Sequence, residues 1–387
     1  MSTRILILEF EMYGIDVDLI YAQIPFQKIG ENFDIMDYEI IEENKNKRSI
    51  LALAGVRCLK IIRQYICQNQ ELLVLLMRYV KIWAKNRLIY SNKAGYLSSV
   101  SLAIMSAKIC IEYPQATSLS FVIKQFFNLY NSWDWEETPL LLVNLIDTDQ
   151  AFENDSEIVE PWRGFKNDDS SSETGSSEKR ETKNEGNDGT QMSIITPGFP
   201  EQNTTFNVNK FTLKRIVGEI ERGFALIEQY SRQESTYVWN ELITPLDWKT
   251  YYNYFILILC RAGEFEKGYC NRQKVLLRTY LYNWEKEYEE YNLIKASHLI
   301  PNYEENVNCL NTTNDGLISC KLWIVGVNLN SEYINNLAIQ EIDIDIGQIL
   351  TIDGTFKHSS TKPESLYSVH TDTDNLGQTL GTFGINE

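Results

Sequence analysis

The chain has 387 residues and a formal net charge of −17. This length allows two or three domains with sizeable cores, and the acidic balance leaves local basic patches as the basis for any contact with nucleic acid. Seven cysteines occur without a Cys-x-x-Cys pair, which argues for reduced thiols inside a cell and against a disulfide framework or a structural zinc site. No apolar run approaches ~18 residues, so we expect no membrane span.

The first residues predict a pair of strands. Short runs rich in Ile, Leu and Val at residues 5–9 and 15–22 flank a turn at residues 12–14, and this pattern is typical of strands. Asp16 and Asp18 alternate along the second run, so both side chains point to one face. That geometry suits a metal-binding Asp-x-Asp pair, and the alternative is an acidic pair at a solvent-exposed sheet edge.

The next segment, residues 48–135, has apolar spacing that predicts helices almost throughout, with a break at 91–95. A basic amphipathic helix leads into this break, and its Arg78, Lys81 and Lys85 share a face. The helix after the break starts on small residues. Cations beside a helix N-terminus suit a phosphate-bearing ligand, whereas a solvated face is the commoner origin of such a row of charges.

The second half of the chain changes in character. Residues 164–190 are rich in Ser, Glu, Asp, Lys and Gly, and this composition predicts a disordered insertion because it offers little apolar surface to bury. A strand at 254–260, a helix at 267–290 and a strand at 318–328 then follow one another in an α+β order. From Asp353 onward the chain is polar, and we expect it to fray.

Two stretches carry a resemblance to a known family. KIWAKNRLIYSNKAGYLSSVS at 81–101 resembles the stretch IKLWAK..xIYSN..G.L.GVSW of eukaryotic nuclear poly(A) polymerases, and IITPGFPEQNTTFN at 194–207 resembles the same family's IITP.YP.QN.T.N. A thinner similarity runs from about residue 5 to residue 330. The chain is thereby identified as resembling these polynucleotide adenylyltransferases, members of the nucleotidyltransferase superfamily.

The resemblance implies an α+β architecture. Residues 1–45 correspond to the C-terminal part of a nucleotidyltransferase catalytic domain and contribute a remnant of its sheet. Residues 46–240 correspond to a helical middle domain that contains the disordered insertion. Residues 241–352 correspond to an RNA-binding domain, an α/β sandwich similar to the RNA-recognition (RRM) fold, and residues 353–387 form a polar tail.

The family resemblance also implies an activity, the template-independent addition of AMP from ATP to RNA 3′ ends during mRNA 3′-end processing. Such nucleotidyl transfer uses two metal ions, Mg²⁺ or Mn²⁺. The implied partners are ATP, the RNA 3′ end and 3′-end processing factors, with no membrane involved. The resemblance further implies a monomer in the nucleus, a location that rests on the family because no Lys/Arg cluster forms a clear nuclear signal.

Asp18 is the candidate catalytic residue and metal ligand. The family holds its metal ions with an Asp-x-Asp pair and with a third Asp on a neighbouring strand. The stretch GIDVDLIYAQI resembles the strand of the third Asp, with Asp18 as that carboxylate and Asp16 where the family carries Glu. In the competing alignment, Asp16 and Asp18 are themselves the Asp-x-Asp pair.

Four further residues are nucleotide-binding candidates by the same resemblance. Lys81 matches the lysine that reaches the ATP phosphates, and Tyr90 matches the tyrosine beside the nucleotide. Ser99 and Val100 match the Gly-Val at the adenine edge. Ser99 departs from the family glycine there, and Ala54 stands where the family carries an asparagine that contacts the nucleotide. These departures put the nucleotide affinity in question.

Basic residues in the last domain are candidates for RNA binding through phosphate contacts. They are Lys267, Arg272, Lys274 and Arg278. The alternative is an ordinary charged helix. His298 matches a family position in the same domain, where we expect a structural rather than a catalytic role.

Two other functions stay open. The Gly-Ser motif and the first two metal carboxylates of the family are not found in the sequence, so we expect the chain to be inactive by itself. A non-catalytic RNA-binding or scaffold protein descended from the enzyme is the main alternative. A relative that transfers uridylate is the other, and competition between nucleotides would separate the two transferases.

Overall fold

The structure is a computed structural model, and it describes these residues: 7–31, 33–37, 40, 43–44, 46–65, 69–142, 162, 191–231, 237–262, 269–289, 294–300, 305–306, 319–330 and 365–382. The predicted insertion at 164–190 lies outside them. None of the helices in these ranges is long and apolar enough to cross a membrane.

The chain divides into two compact units, each discontinuous in sequence. The first comprises Met1–Val80, Ser99–Lys179 and Met192–Phe206, and the second comprises Lys81–Ser98, Arg180–Gln191 and Asn207–Glu387. The four-part division proposed from the sequence remains a prediction.

The described elements mix helix and sheet, which is compatible with the predicted α+β class. The helices are α1 Lys47–Tyr65, α2 Gln70–Asn86, α3 Ser99–Glu112, α4 Leu119–Asn131, α5 Lys210–Ser231, α6 Tyr237–Ile243, α7 Trp248–Tyr251, α8 Tyr269–Glu289 and α9 Leu376–Thr382. The strands are β1 Ile7–Met12, β2 Ile15–Ile20, β3 Tyr254–Ala262, β4 Ile294–Leu299, β5 Glu305–Asn306, β6 Ser319–Leu329 and β7 Ser365–Asp372.

The first unit begins with the antiparallel hairpin of β1 and β2, which confirms the predicted pair of strands. Tyr13 and Gly14 have φ of 54° and 75°, the positive values at both central positions that a type I′ hairpin turn uses. The register pairs Glu9 with Asp18 and Glu11 with Asp16. Because paired residues of an antiparallel ladder share a face, these acidic positions lie together, opposite a face of apolar positions.

The helices of the first unit enclose an aromatic core. The aromatic residues of α4 are all expected in the core from the sequence. Phe126, Phe127 and Tyr130 are buried there, whereas Phe121 is 40% exposed in the first turn of the helix. The hydroxyl of Tyr130 donates to the carbonyl oxygen of Met105 in α3 over 2.7 Å, which satisfies the polar end of a buried ring. Ser118 precedes α4 and accepts from the Phe121 backbone N–H as an N-cap.

The second unit is built around an antiparallel sheet with the strand order β4-β6-β3-β7, in which β5 also pairs with β6. The predicted strands at 254–260 and 318–328 are confirmed as β3 and β6, and the helix between them as α8. One face of the sheet packs Leu257 and Ile324 into a core with Leu376 and Leu380 of α9. On the strand β3, Cys260 accepts a weak hydrogen bond from the thiol of Cys270 in α8.

The end of the chain differs from the sequence-based expectation. Residues 365–382 do not fray, because β7 completes a ladder with β3 and α9 buries Leu376 and Leu380. The Thr- and Ser-rich composition concealed a strand whose partner lies more than a hundred residues earlier in the chain. The likeness of the whole sandwich to the RRM fold remains a prediction.

Candidate nucleotide-binding site

Two lysines of α2 meet at one tyrosine ring. The ammonium group of Lys81 lies 5.6 Å from the centroid of the Tyr90 ring, and that of Lys85 lies 5.5 Å from it. Both distances are within the range of cation–π attraction. Leu76 and Trp83 of the same helix are fully buried, so α2 places its apolar face in the core and its cations beside Tyr90.

A tight loop follows, and we call residues Tyr90–Leu97 the YSN loop. A β-bridge between Tyr90 and Leu97 closes it, and a 3₁₀ turn at Asn92–Ala94 shapes its tip. Gly95 has φ +86° and donates its N–H to the carbonyl oxygen of Asn92 over 3.0 Å. Such a left-handed conformation favours glycine, which explains the glycine that the sequence places in the break between two helices.

Gly95 is also a point of close approach. A Cβ at this position would lie 3.0 Å from the Asn207 carbonyl oxygen and 3.3 Å from both the Thr212 Cγ2 and the Arg278 Cδ. The side chain of Asn207 donates from Nδ2 to the carbonyl oxygen of Asn92 over 3.1 Å and to its Oδ1 over 2.6 Å. The YSN loop is therefore held by side chains from distant parts of the sequence.

The stretch 194–207, singled out from its sequence, has two structural roles. Asn203 folds the stretch on itself, since its Oδ1 accepts from the N–H of Thr205 over 2.9 Å and its Nδ2 donates to the Met192 carbonyl oxygen over 3.1 Å. Asn207 instead binds the YSN loop. Both asparagines therefore stabilise the local fold through side-chain hydrogen bonds.

A buried ion network fixes the end of α2. Arg87 donates from Nε and Nη2 to the two carboxylate oxygens of Glu219 over 2.8 and 3.1 Å. Arg222 donates to the same carboxylate over 2.9 Å. Burial by itself raises the pKa of Glu219, but the hydrogen bonds and charges of the two arginines outweigh it and hold the pKa below its usual value.

Sequence reasoning missed this network. The available signal was that Glu219 lies in the apolar stripe of α5, next to Ile216 and Ile220, both of which are buried. A carboxylate in such a stripe needs a partner. The sequence could not identify Arg87 as the partner of Glu219, because 132 residues separate them.

His298 has the structural role expected from the sequence. It is buried, its Nε2 lies 2.7 Å from the Leu88 carbonyl oxygen, and its Nδ1 lies 2.8 Å from the Tyr252 hydroxyl. Since a carbonyl oxygen only accepts, Nε2 donates to Leu88 and Nδ1 accepts from Tyr252. Burial lowers the pKa of His298 well below its usual value, and the charge of Arg215 adds to this effect.

Comparison with known proteins gives the context for this site. Residues 73–245 match the family model described as "Poly(A) polymerase central domain". This segment of the chain is similar to the central domain of poly(A) polymerases. The match includes the YSN loop, the Asn203 and Asn207 stretch and the Arg87–Glu219 network.

Three curated relatives show the extent of the similarity. The chain is 32% identical over 255 residues to a poly(A) polymerase of Dictyostelium discoideum, with 65% of this chain and 27% of the relative aligned. It is 27% identical to nuclear poly(A) polymerase 1 of Arabidopsis thaliana, over 66% of this chain and 32% of the relative. A poly(A) polymerase of Entamoeba histolytica is 27% identical over 68% of this chain and 45% of its own length. The aligned part is thus less than half of each relative.

The remaining residues that the poly(A) polymerase resemblance assigns to nucleotide binding lie in the first unit. Ser99 and Val100 open α3, and both are exposed in its first turn. Ala54 is buried in α1. These three residues belong to the first compact unit, whereas Lys81 and Tyr90 belong to the second.

The metal ions of a poly(A) polymerase require converging carboxylates. Asp18 is exposed on β2, on the hairpin face that also carries the positions of Glu9, Glu11 and Asp16. Among the described side chains, no group of three or more His, Cys, Asp or Glu could hold a metal ion. A two-metal site keeps its ions only about 4 Å apart, so the described side chains do not fit a complete site, and no step through a metal follows from them.

The structure describes the side chains of only two of the four RNA-binding candidates in the last domain. Lys267 and the side chain of Arg272 lie outside the described residues. Lys274 and Arg278 lie one turn apart on α8. Arg278 is half-buried, and its Cδ packs beside Gly95, which associates it with the YSN loop.

Proposed function

We propose that this chain binds ATP at the YSN loop and serves as the nucleotide- and RNA-binding part of a poly(A) polymerase. The reaction is the template-independent transfer of AMP from ATP to an RNA 3′ end. The observation that carries the proposal is the placement of Lys81 and Lys85 at the Tyr90 ring. Ammonium groups bind phosphates as point charges, and an aromatic ring provides a surface on which a base can stack.

The other assigned residues complete this proposal. Lys81 binds the ATP phosphates and Tyr90 contacts the nucleotide, while Ser99 and Val100 line the adenine edge. Asp18 contributes a carboxylate to the site of the Mg²⁺ or Mn²⁺ ions. Because the described carboxylates form no complete metal site, we propose that the chain by itself binds ATP without extending RNA.

The cellular setting is also proposed from the family. The partners are the RNA 3′ end and the factors of mRNA 3′-end processing, and the protein acts as a monomer in the nucleus. The name of the Arabidopsis relative, nuclear poly(A) polymerase 1, supports the location. Lys274 and Arg278, together with Lys267 and Arg272, are proposed to contact RNA phosphates.

The experiment has two readouts on the purified chain with Mg²⁺. Equilibrium titration measures binding of ATP, with UTP and CTP as competitors, and a primer assay measures RNA extension. We expect ATP binding that the other nucleotides displace poorly, and no extension. Stronger binding of UTP would favour the uridylyl-transferring alternative. Extension that Asp18→Ala abolishes would overturn the proposed inactivity of the isolated chain.

A non-catalytic RNA-binding or scaffold protein is the second candidate. It is favoured by Ala54, which is buried in α1 at the position where the resemblance places a nucleotide-contacting asparagine. A methyl group offers no hydrogen bond to a base or ribose. Binding of oligoadenylate by a chain that binds no ATP would support this function over the first.

A further inference from the structure

Arg278 differs from the other RNA-binding candidates in its position. Its side chain extends from α8 towards the YSN loop and is half-buried. The Arg278 Cδ lies 3.3 Å from the position that a Cβ would occupy on Gly95. A larger residue at 95 would displace this side chain, so the missing Cβ of the glycine makes room for the arginine stem. The stem is thereby fixed against the loop that follows Tyr90.

The guanidinium of Arg278 keeps its donors available. Among the described residues, none accepts a hydrogen bond from it or forms an ion pair with it. An arginine presents five N–H donors in a planar fork that matches the geometry of phosphate oxygens. Burial of a guanidinium without an anion is unfavourable, so a half-buried arginine at the edge of a loop is suited to an anionic ligand.

Other cations lie in the loop, at the Tyr90 ring or on the same helix as Arg278. Lys81 and Lys85 lie at the Tyr90 ring, Lys93 is exposed within the loop itself, and Lys274 precedes Arg278 by one turn of α8. In a chain with a net charge of −17, such a concentration of cations creates a local positive potential that attracts anions. The position of the loop within this cluster indicates a phosphate-bearing ligand.

We propose that Arg278 binds a phosphate group of the ligand held at the YSN loop, as a cation additional to Lys81. This inference rests on the proposed function, because it takes that ligand to be ATP or the adjoining RNA strand. The two ligands share the phosphate chemistry, and binding experiments distinguish them. The alternative role of Arg278 is purely structural, in which its stem covers Gly95 and its charge is incidental.

Arg278→Met separates these roles, since methionine retains an unbranched apolar stem and removes the charge. The matched control is Lys286→Met, on the same helix and about 12 Å further along its axis. Affinities of the full chain for ATP, pyrophosphate, oligoadenylate and adenosine are measured by titration calorimetry. We expect Arg278→Met to weaken ATP and pyrophosphate binding about tenfold or more, with adenosine binding unchanged and Lys286→Met close to wild type.

Each other outcome also decides the question. A tenfold loss for oligoadenylate with ATP binding retained supports the inference and assigns the phosphate to RNA. Arg278→Met affinities within about twofold of wild type for ATP, pyrophosphate and oligoadenylate would overturn the inference. A loss of adenosine binding as large as the loss of ATP binding would also overturn it, and so would a wild-type chain that binds none of the three phosphate ligands. As a second measurement, NMR of the wild-type chain follows the Arg278 Nε–H resonance, which pyrophosphate is expected to shift. An Arg278→Met chain that binds ATP, pyrophosphate and oligoadenylate as tightly as wild type would overturn this inference and leave the proposed ATP binding at the YSN loop standing, so the two failures are distinguishable.

Discussion

Asn207 donates two hydrogen bonds to Asn92, one to its side-chain oxygen over 2.6 Å and one to its carbonyl oxygen over 3.1 Å. The two residues lie 115 positions apart, one in each of the stretches that carry the family resemblance. The second stretch therefore acts on the first by fixing the tip of the YSN loop. We therefore expect ligand binding at Tyr90 to depend on Asn207.

Asn207→Ala is expected to loosen the YSN loop. The loss of two half-buried hydrogen bonds costs about 1–2 kcal/mol of unfolding free energy, and amide hydrogen exchange of residues 92–97 becomes faster. Urea denaturation and hydrogen-exchange mass spectrometry measure the two effects. Asn240→Ala, at an exposed position of α6, is the control. Equal exchange rates in both variants would show that Asn207 does not hold the loop.

Gly95→Ala is expected to destabilise the protein, whereas Gly218→Ala is not. Alanine at residue 95 requires φ +86° and places its Cβ 3.0 Å from the Asn207 carbonyl oxygen, at a cost of about 1–2 kcal/mol from the left-handed conformation alone. Gly218 lies within α5, where a Cβ meets nothing within 4 Å, so alanine there stabilises the helix by up to about 1 kcal/mol. Thermal denaturation compares the two variants. A change of the same sign in both would contradict the assigned role of Gly95.

The ion network of Glu219 is expected to make stability depend on acid pH. Its carboxylate has a pKa below the usual 4.5 in the folded chain, so its contribution is present above about pH 4.5 and is lost as the pH falls through the folded pKa. Glu219→Gln leaves Arg87 buried without its anion and costs about 3 kcal/mol at neutral pH. Urea denaturation of both proteins from neutral to acid pH measures the difference. A difference that stays constant as the pH falls below 4.5 would contradict the network.

His298 is expected to remain neutral at pH values near the usual histidine pKa. Burial and the charge of Arg215 lower its pKa below the usual 6.5, so protonation favours the unfolded chain, and stability declines as the pH falls below about 6.5. NMR of the ring nitrogens is expected to show the Nε2–H form throughout the range from about pH 7.5 to pH 5.5. An imidazolium signal that appears in the folded protein near pH 6.5 would refute this assignment.

The local elements of this fold were predictable because each has a periodic signal. Helix α4 follows from the spacing of Phe126, Phe127 and Tyr130, and the β1–β2 hairpin follows from alternating apolar residues around a turn with glycine. The segment around Gly95 was also readable as a break between helices. These features depend on residues near one another in the sequence.

The long-range pairs were not predictable from one sequence. Arg87 and Glu219, Tyr252 and His298, and Asn92 and Asn207 are joined only by the tertiary fold, and no local pattern identifies the partners. Strand β7 was missed for the same reason, because its polar sequence is stabilised by pairing with the distant β3. The contact of Arg278 with Gly95 was likewise not predictable, because helical spacing does not reveal which distant segment packs against a side chain.

The central claim is that the lysines at Tyr90 bind the phosphates of ATP, and affinity for ATP in Lys81→Met tests it most directly. Lys249→Met is the matched control, since Lys249 also lies over an aromatic ring, that of Trp248, at 5.9 Å. Titration calorimetry is expected to show ATP binding weakened about tenfold in Lys81→Met, with adenosine binding unchanged and Lys249→Met near wild type. Equal affinities for ATP in wild type, Lys81→Met and Lys249→Met would contradict the account.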